Sequence, residues 1–226
     1  MMAGYMAGKR GLIMGLANDR SLAWGIAKKL KEEGAELAFS YQGDALEKRV
    51  RPLAAELGSD FLIDCDVANM DDLDKAFATL AARWPTIDFV VHAIGFSDKN
   101  ELRGRYCDTS LDNFLMTMNI SVYSFTAVAT RAAAMMPNGG SLLTLSYYGA
   151  EKVVPHYNVM GVAKAALEAS TRYLAVDLGG ENIRVNTLSA GPMRTLAGSA
   201  ITGARHIFRH SEKHAPLGRN PDIEEV

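Results

Sequence analysis

The sequence predicts an α/β chain built on one doubly wound parallel sheet with helices on both faces. Short apolar runs alternate about six times with longer segments, as in chained βαβ units. The longer segments carry apolar residues three or four apart, the spacing of a helix with one buried stripe. Glycines stand where helices should hand over to strands.

The strands are placed at residues 11–14, 35–41, 60–64, 87–94, 141–146 and 184–189. Between them, Leu22, Ile26 and Leu30 give the first helical stripe, Leu46, Val50, Leu53 and Leu57 the second, and Leu73, Phe77 and Leu80 the third. Gly34 and Gly58 are placed as left-handed helix ends ahead of the second and third strands. Gly25 would let the first helix approach the sheet. A later helix starts after Pro155.

The chain of 226 residues is read as a single dinucleotide-binding and catalytic domain over 1–226, because no linker interrupts it. After Ala190, residues 191–203 mix Gly, Pro, Ser and Thr with apolar side chains, so a lid over a site is expected near 191–215.

A formal net charge of −2 provides no general field for a polyanion or an anionic membrane, so neither nucleic acid nor membrane is an expected partner. No apolar run approaches the roughly 18 residues of a membrane span, and the first residues do not read as a signal peptide. Cys65 and Cys107 lie far apart and match no metal spacing. Free thiols point to a reducing compartment, the cytoplasm.

Ligands of open α/β sheets bind beyond the carboxyl ends of the strands, and the polar and glycine residues expected there are suggestive of a Rossmann-type nucleotide site. Gly15 ends the first strand and Ser21 opens the next helix, where backbone N–H groups can hold a pyrophosphate. The intervening residues are not GxGxxG, so a plain βα turn explains them equally. Gln42, Asp66, Val67, Ile94 and Gly95 follow the next strands. Asp66 suits an adenine amino group or, alternatively, a helix cap before Met70; Gly95 leaves room for a ribose. No acid ends the second strand to bind a ribose 2′-hydroxyl, which leaves NAD against NADP open. Nor does a cation stand directly there for a 2′-phosphate, which favours NADH, although Lys48, Arg49 and Arg51 follow within two turns.

Tyr157, Met160 and Lys164 fall within about 60° of one another around a helix. A phenol beside an ammonium group is a donor suited to a developing oxyanion, since the cation favours the phenolate. Tyr147, just past the fifth strand, can bring a second phenol to the same crevice. Spacing alone also fits two packing residues and a lysine reaching solvent. His206, His210 and His214 recur four apart, but a solvated helix face explains them, and no metal is expected. Arg205, Arg209, Lys213 and Arg219 stand against Glu212 alone, which makes either an acidic partner's docking patch or ordinary surface charge.

Six segments in this order resemble one family. They are Gly15 with Ser21-Leu22-Ala23-Trp24-Gly25-Ile26-Ala27; Cys65-Asp66-Val67; Ile94-Gly95-Phe96; Leu143-Thr144-Leu145-Ser146-Tyr147; Tyr157-Asn158-Val159-Met160-Gly161 with Lys164; and Ser189-Ala190-Gly191-Pro192-Met193-Arg194-Thr195-Leu196. Together they are similar to bacterial enoyl-[acyl-carrier-protein] reductases of the FabI type, a divergent branch of the short-chain dehydrogenase/reductase superfamily.

The resemblance implies NADH-dependent reduction of the trans-2 double bond of an enoyl thioester, the last step of each fatty-acid elongation cycle, with acyl carrier protein as substrate carrier and a homotetrameric assembly. It makes Tyr147, Tyr157 and Lys164 catalytic. It gives cofactor contacts to Gly15, Ser21, Leu22, Gln42, Asp66, Val67, Ile94, Gly95, Lys164, Met193, Thr195 and Leu196, and substrate contacts to Ser97, Leu102, Tyr147, Tyr157, Met160 and Ala197. Family members usually run several dozen residues further, so by this resemblance their final strand is expected to be missing here. Tyr148 departs from the smaller residue common at its position. The alternatives are a carbonyl (ketoacyl) reductase of the same superfamily, against which Met160 stands four before Lys164 where that class has its tyrosine, and a non-catalytic dinucleotide-binding regulator.

Overall fold

Parallel strands can be joined only by long crossovers, and this chain supplies at least one helix at each of them. The computed structural model describes residues 4–195, 198 and 203–226. In order, they form β1 (Arg10–Met14), α1 (Leu22–Glu32), β2 (Glu36–Tyr41), α2 (Gly43–Glu56), β3 (Leu62–Asp64), α3 (Met70–Arg83) and β4 (Phe89–His92). Then follow α4 (Leu111–Met118), a π turn (Asn119–Tyr123), α5 (Ser124–Ala133), β5 (Gly140–Ser146), α6 (Asn158–Gly179), β6 (Ile183–Ser189) and α7 (Ala204–His214).

All strand pairs are parallel, in the order β3-β2-β1-β4-β5-β6. The order reverses at β1, whose last residue Met14 lies level with Ser40 on one side and His92 on the other. That reversal opens a crevice at the carboxyl ends of β1 and β4.

Alternation along the strands divides the core. Leu12, Met14, Val90 and Leu142 pack on the side covered by α3, α5 and α6. Ile13, Phe39, Val91 and Leu145 pack on the opposite side, under α1 and α2. Phe39 and Phe125 are completely buried, one on each side.

Two expected strands are shorter than their apolar runs. β3 lies at the sheet edge and lasts only while Leu62–Asp64 pairs with Phe39–Tyr41. β4 lasts only where both neighbours are in register, whereas Ile87 already donates its N–H to Met135 outside the ladder. Gly34 (φ +98°) and Gly58 (φ +69°) take the left-handed conformation expected after α1 and α2. Gly25 has a different role from the one expected. A Cβ there would lie 2.7 Å from Ile223 Cγ1, so the glycine admits the chain's last turn rather than the sheet.

Candidate active site

Parallel pairing delivers Gly15, Gln42, Asp66, Ile94 and Tyr147 to one edge of the sheet, each just beyond its strand. At Gly15 the chain has φ +93°, and a Cβ would fall 2.1 Å from the Ala93 carbonyl oxygen. Only glycine lets β1 turn into the next loop this close to the end of β4. Ser21 braces that loop: its hydroxyl accepts the Ala17 and Asn18 N–H groups at 3.1 and 3.0 Å. The side chain therefore makes no cap to α1, and no acidic residue occupies the first turn. The N–H groups opening α1, beside half-buried Leu22, are left to meet an anion.

Around the rest of the edge, Gln42 is exposed at the N-cap of α2, and Gly43 donates its N–H to Asp64 at 2.8 Å. Asp66 does not cap α3. Its carboxylate accepts the Ala68 N–H at 2.9 Å, while Asn69 caps the helix by accepting from Asp71 and Asp72. Val67 is buried among the α3-side core. Among the basic residues near the end of β2, Arg51 is paired with Glu47.

The face around Tyr157 is better defined. Tyr157 is the N-cap of α6, with Met160 and Lys164 within the helix, and all three are buried. The backbone is forced here, because His156 (φ +62°) and Asn158 (φ +39°) flank Tyr157 in positive-φ conformations that non-glycine residues rarely adopt. Asn158 offsets part of that cost by donating to Leu102 O (3.3 Å) and Gly104 O (2.9 Å). Those bonds bring Leu102 into one cluster with Tyr157 and Met160, against which Tyr147 packs. The Tyr147 and Tyr157 rings meet edge to face at 5.3 Å. Gly149 lies flat on the Tyr157 ring, where a Cβ would come within 2.3 Å of Cδ1.

Electrostatics here differ from what the spacing suggested. Burial, with Tyr147 nearby, raises the Tyr157 phenol further above its ordinary value, and burial raises Tyr147 too. Both are neutral donors, not phenolates. Lys164 neither reaches solvent nor pulls a proton from Tyr157. It donates to Leu145 O at 2.7 Å, and burial pushes its pKa down to about 8. An ammonium group has three N–H donors; Leu145 O is the one protein partner of Lys164 among the described residues.

Gly95 faces this group. A Cβ on it would be 3.5 Å from Met160 Cε and 3.6 Å from Lys164 Nζ, so its missing side chain keeps the space beside the lysine open. Buried donors without enough acceptors, next to a glycine-lined crevice at the sheet's reversal point, fit the sugar hydroxyls of a dinucleotide.

Not every expected residue converges. The Ser97 hydroxyl donates to Asn113 Oδ1 at 3.2 Å, turned toward α4 rather than into the Tyr157 cluster. Met193 and Thr195 follow β6, with Thr195 Oγ1 accepting the Gly198 N–H at 2.9 Å. Leu196 and Ala197 lie outside the described residues. In the expected lid, residues 204–214 form α7, with exposed Arg205, Arg209 and Lys213 along one stripe. Arg219 leaves this patch, because Glu225 holds it through two 2.7 Å bonds. His206, His210 and His214 stack along α7.

Sequence reasoning missed Gly149, His156, Asn158, Asn113 and Ser121. A glycine pressed on a ring and a left-handed histidine have no periodic signal. His92 interrupts the apolar run 89–94, and nothing local to it marks a role.

Residues 15–226 match the family described as "Enoyl-(Acyl carrier protein) reductase". Over 224 residues the chain is 65% identical to "Enoyl-[acyl-carrier-protein] reductase [NADH] 1" of Rhizobium meliloti (strain 1021), covering 99% of this chain and 82% of that protein. Among solved structures, FabI from Candidatus Liberibacter asiaticus superposes with a TM-score of 0.97 at 55% identity, covering 99% of this chain and 87% of that one. The enoyl-(acyl-carrier-protein) reductase of Anaplasma phagocytophilum, solved in complex with NAD, gives 0.95 at 57% identity, covering 99% and 86%.

Proposed function

This chain belongs to the enoyl-[acyl-carrier-protein] reductase family, FabI type, and from that membership we propose how its residues divide the work of the reaction. It is an NADH-dependent enoyl-[acyl-carrier-protein] reductase, which saturates the trans-2 double bond of an enoyl thioester. NADH, when bound, supplies the hydride that the β-carbon receives. As the double bond is reduced, negative charge develops on the thioester oxygen, and Tyr157 donates a hydrogen bond to it. Its neutral, buried phenol offers that donor in a site of low polarity, where it acts most strongly on charge that appears only in the transition state. A proton at the α-carbon completes the product.

Lys164 holds the nicotinamide ribose hydroxyls with the N–H groups that Leu145 leaves free. Tyr147, Met160 and Leu102 line the acyl side of the pocket around Tyr157. The loop at Gly15, Ser21 and Leu22 holds the pyrophosphate, while Asp66 and Val67 flank the adenine. The absence of an unpaired cation directly at the end of β2 suits NADH. The strongest support for these roles is the convergence of buried Tyr157, Met160 and Lys164 on the ends of β4 and β5.

We assign the exposed stripe of Arg205, Arg209 and Lys213 to docking of the acidic carrier protein, with α7 as part of the lid. A homotetramer is supported by apolar side chains exposed on neighbouring helices: Leu111 and Leu115 on α4, and Tyr173 and Val176 on α6. Among the described residues no helix is long and apolar enough to cross a membrane. Free Cys65 and Cys107 favour the cytoplasm.

The test compares NADH and NADPH oxidation with crotonyl and ketoacyl thioesters. NADH consumption with the enoyl substrate and little with the ketoacyl one is expected. Tyr157→Phe should lower kcat ~10²-fold with a much smaller change in NADH affinity, the loss typical of one oxyanion donor. Ketoacyl turnover, or NADH binding with no turnover of either thioester, would overturn the assignment.

A further inference from the structure

The helical segment after β4 is interrupted. α4 ends at Met118, the π turn takes Asn119–Tyr123, and α5 resumes at Ser124. A π turn places one extra residue in a helical turn and so redirects the side chains around it, and such insertions recur at functional sites.

This one is pinned from the sheet. His92, the last residue of β4, is fully buried, with Nε2 2.9 Å from Ser124 Oγ and Nδ1 3.2 Å from Thr144 Oγ1. Ser124 Oγ lies 2.6 Å from Ile120 O inside the π turn. Donor counting assigns the protons. The single Ser124 hydroxyl proton goes to Ile120, so His92 must donate from Nε2 to Ser124. Burial and the Lys164 charge hold the His92 pKa down to about 3, so the ring is neutral and Nδ1 is an acceptor, sharing the single Thr144 hydroxyl proton with the His92 carbonyl at 3.1 Å.

The turn aims Ser121 back at the loop beyond β4. Its hydroxyl accepts the Phe96 N–H at 3.0 Å and donates to the Phe96 carbonyl at 3.1 Å, clasping both ends of one residue. The same oxygen is 3.9 Å from Met160 Sδ and would be 3.8 Å from a Cβ on Gly95. Ser121 therefore stands behind the point where Gly95 meets Met160 and Lys164.

We propose that Ser121 is a positioning residue for the nicotinamide end of the cofactor cleft, aimed by a π turn that His92 pins through Ser124. It fixes residues 94–96 so that the open side of Gly95 stays beside Lys164. This role rests on the NADH-dependent reading above.

The test is direct NADH binding by fluorescence titration of the full chain, alongside steady-state kinetics with crotonyl thioester. Ser121→Ala removes both bonds to Phe96 and should weaken NADH binding about tenfold. The KM for NADH should rise more than kcat falls, with the thioester KM little changed. Ser121→Thr keeps the hydroxyl and should recover most of the affinity. Ser124→Ala leaves Ser121 in place and should weaken NADH binding in the same direction. In nitrogen-15 spectra His92 should show the Nε2–H tautomer with no titration down to pH 5.

Failure of the unaltered protein to bind NADH would sink the parent reading. Normal binding there with equal affinity in Ser121→Ala would sink this one alone. Ser124→Ala binding as tightly as the unaltered protein, or a His92 ring protonated on Nδ1, would remove His92 from the chain of contacts. A lower kcat with NADH affinity and both KM values unchanged, not rescued by threonine, would mark a loss of folded protein alone and overturn the positioning role.

Discussion

Lys164 places a buried amine beside the crevice at Gly95, and burial works against its charge, which under the proposed role sets a pH dependence. Its pKa is pushed down from 10.5 to about 8 by burial. Below about pH 8 the group is a charged donor; above it the charge is lost while Tyr157 remains protonated. The kcat/KM for NADH should therefore fall as pH rises through about 8 in a pH–rate profile. Lys164→Arg keeps its charge throughout, so the alkaline limb should vanish from whatever activity that variant retains. A limb that survives in the variant would assign the titration to another group. The sign for stability is opposite. Between about pH 8 and 10.5 the unfolded chain binds the proton that the folded one has released, so this group's contribution to folding improves as pH rises, and its burial penalty is complete below about 8. The sequence placed Tyr157, Met160 and Lys164 on one face. It could not say that burial would move the two groups in opposite directions, the phenol up and the amine down.

At the scale of elements, α7 shows what periodicity reads well and what it misses. Four-residue spacing set Arg205, Arg209 and Lys213 on one exposed stripe, and none of them is paired with a carboxylate among the described residues. Arg219 looked like a fourth member until the turn at Ile223–Glu225 folded back and took it. Reversing the three stripe charges to Glu should raise the KM for carrier-bound enoyl substrate about tenfold at low ionic strength, with the effect shrinking as salt rises. A small uncharged thioester, crotonyl-N-acetylcysteamine, should be turned over unchanged. Equal effects on both substrates, or none on either, would refute the docking role. The π turn between α4 and α5 is the opposite case. Its cause is a histidine on a strand and a serine on the helix, distant in sequence, so no local pattern announces it.

For the molecule as a whole, exposed Leu111, Leu115, Tyr173 and Val176 suggest a surface covered by other copies of the chain. Sedimentation velocity should give a mass four times the 24.5 kDa of one chain, and a stable single-chain mass would contradict the tetramer. The sequence by itself determined the parallel α/β fold, because apolar runs bounded by glycine and helical stripes admit few other arrangements. It also determined the set of residues at the strand ends, since parallel strands must all finish at one edge. Only the tertiary structure decided which of them meet: Leu102 joins Tyr157 through Asn158, Ser97 turns away to Asn113, and Gly25 receives Ile223. Periodicity encodes which face a residue occupies within its own element. Contacts between elements depend on loop paths and on hydrogen bonds between distant residues, and those exist only once the chain has closed on itself.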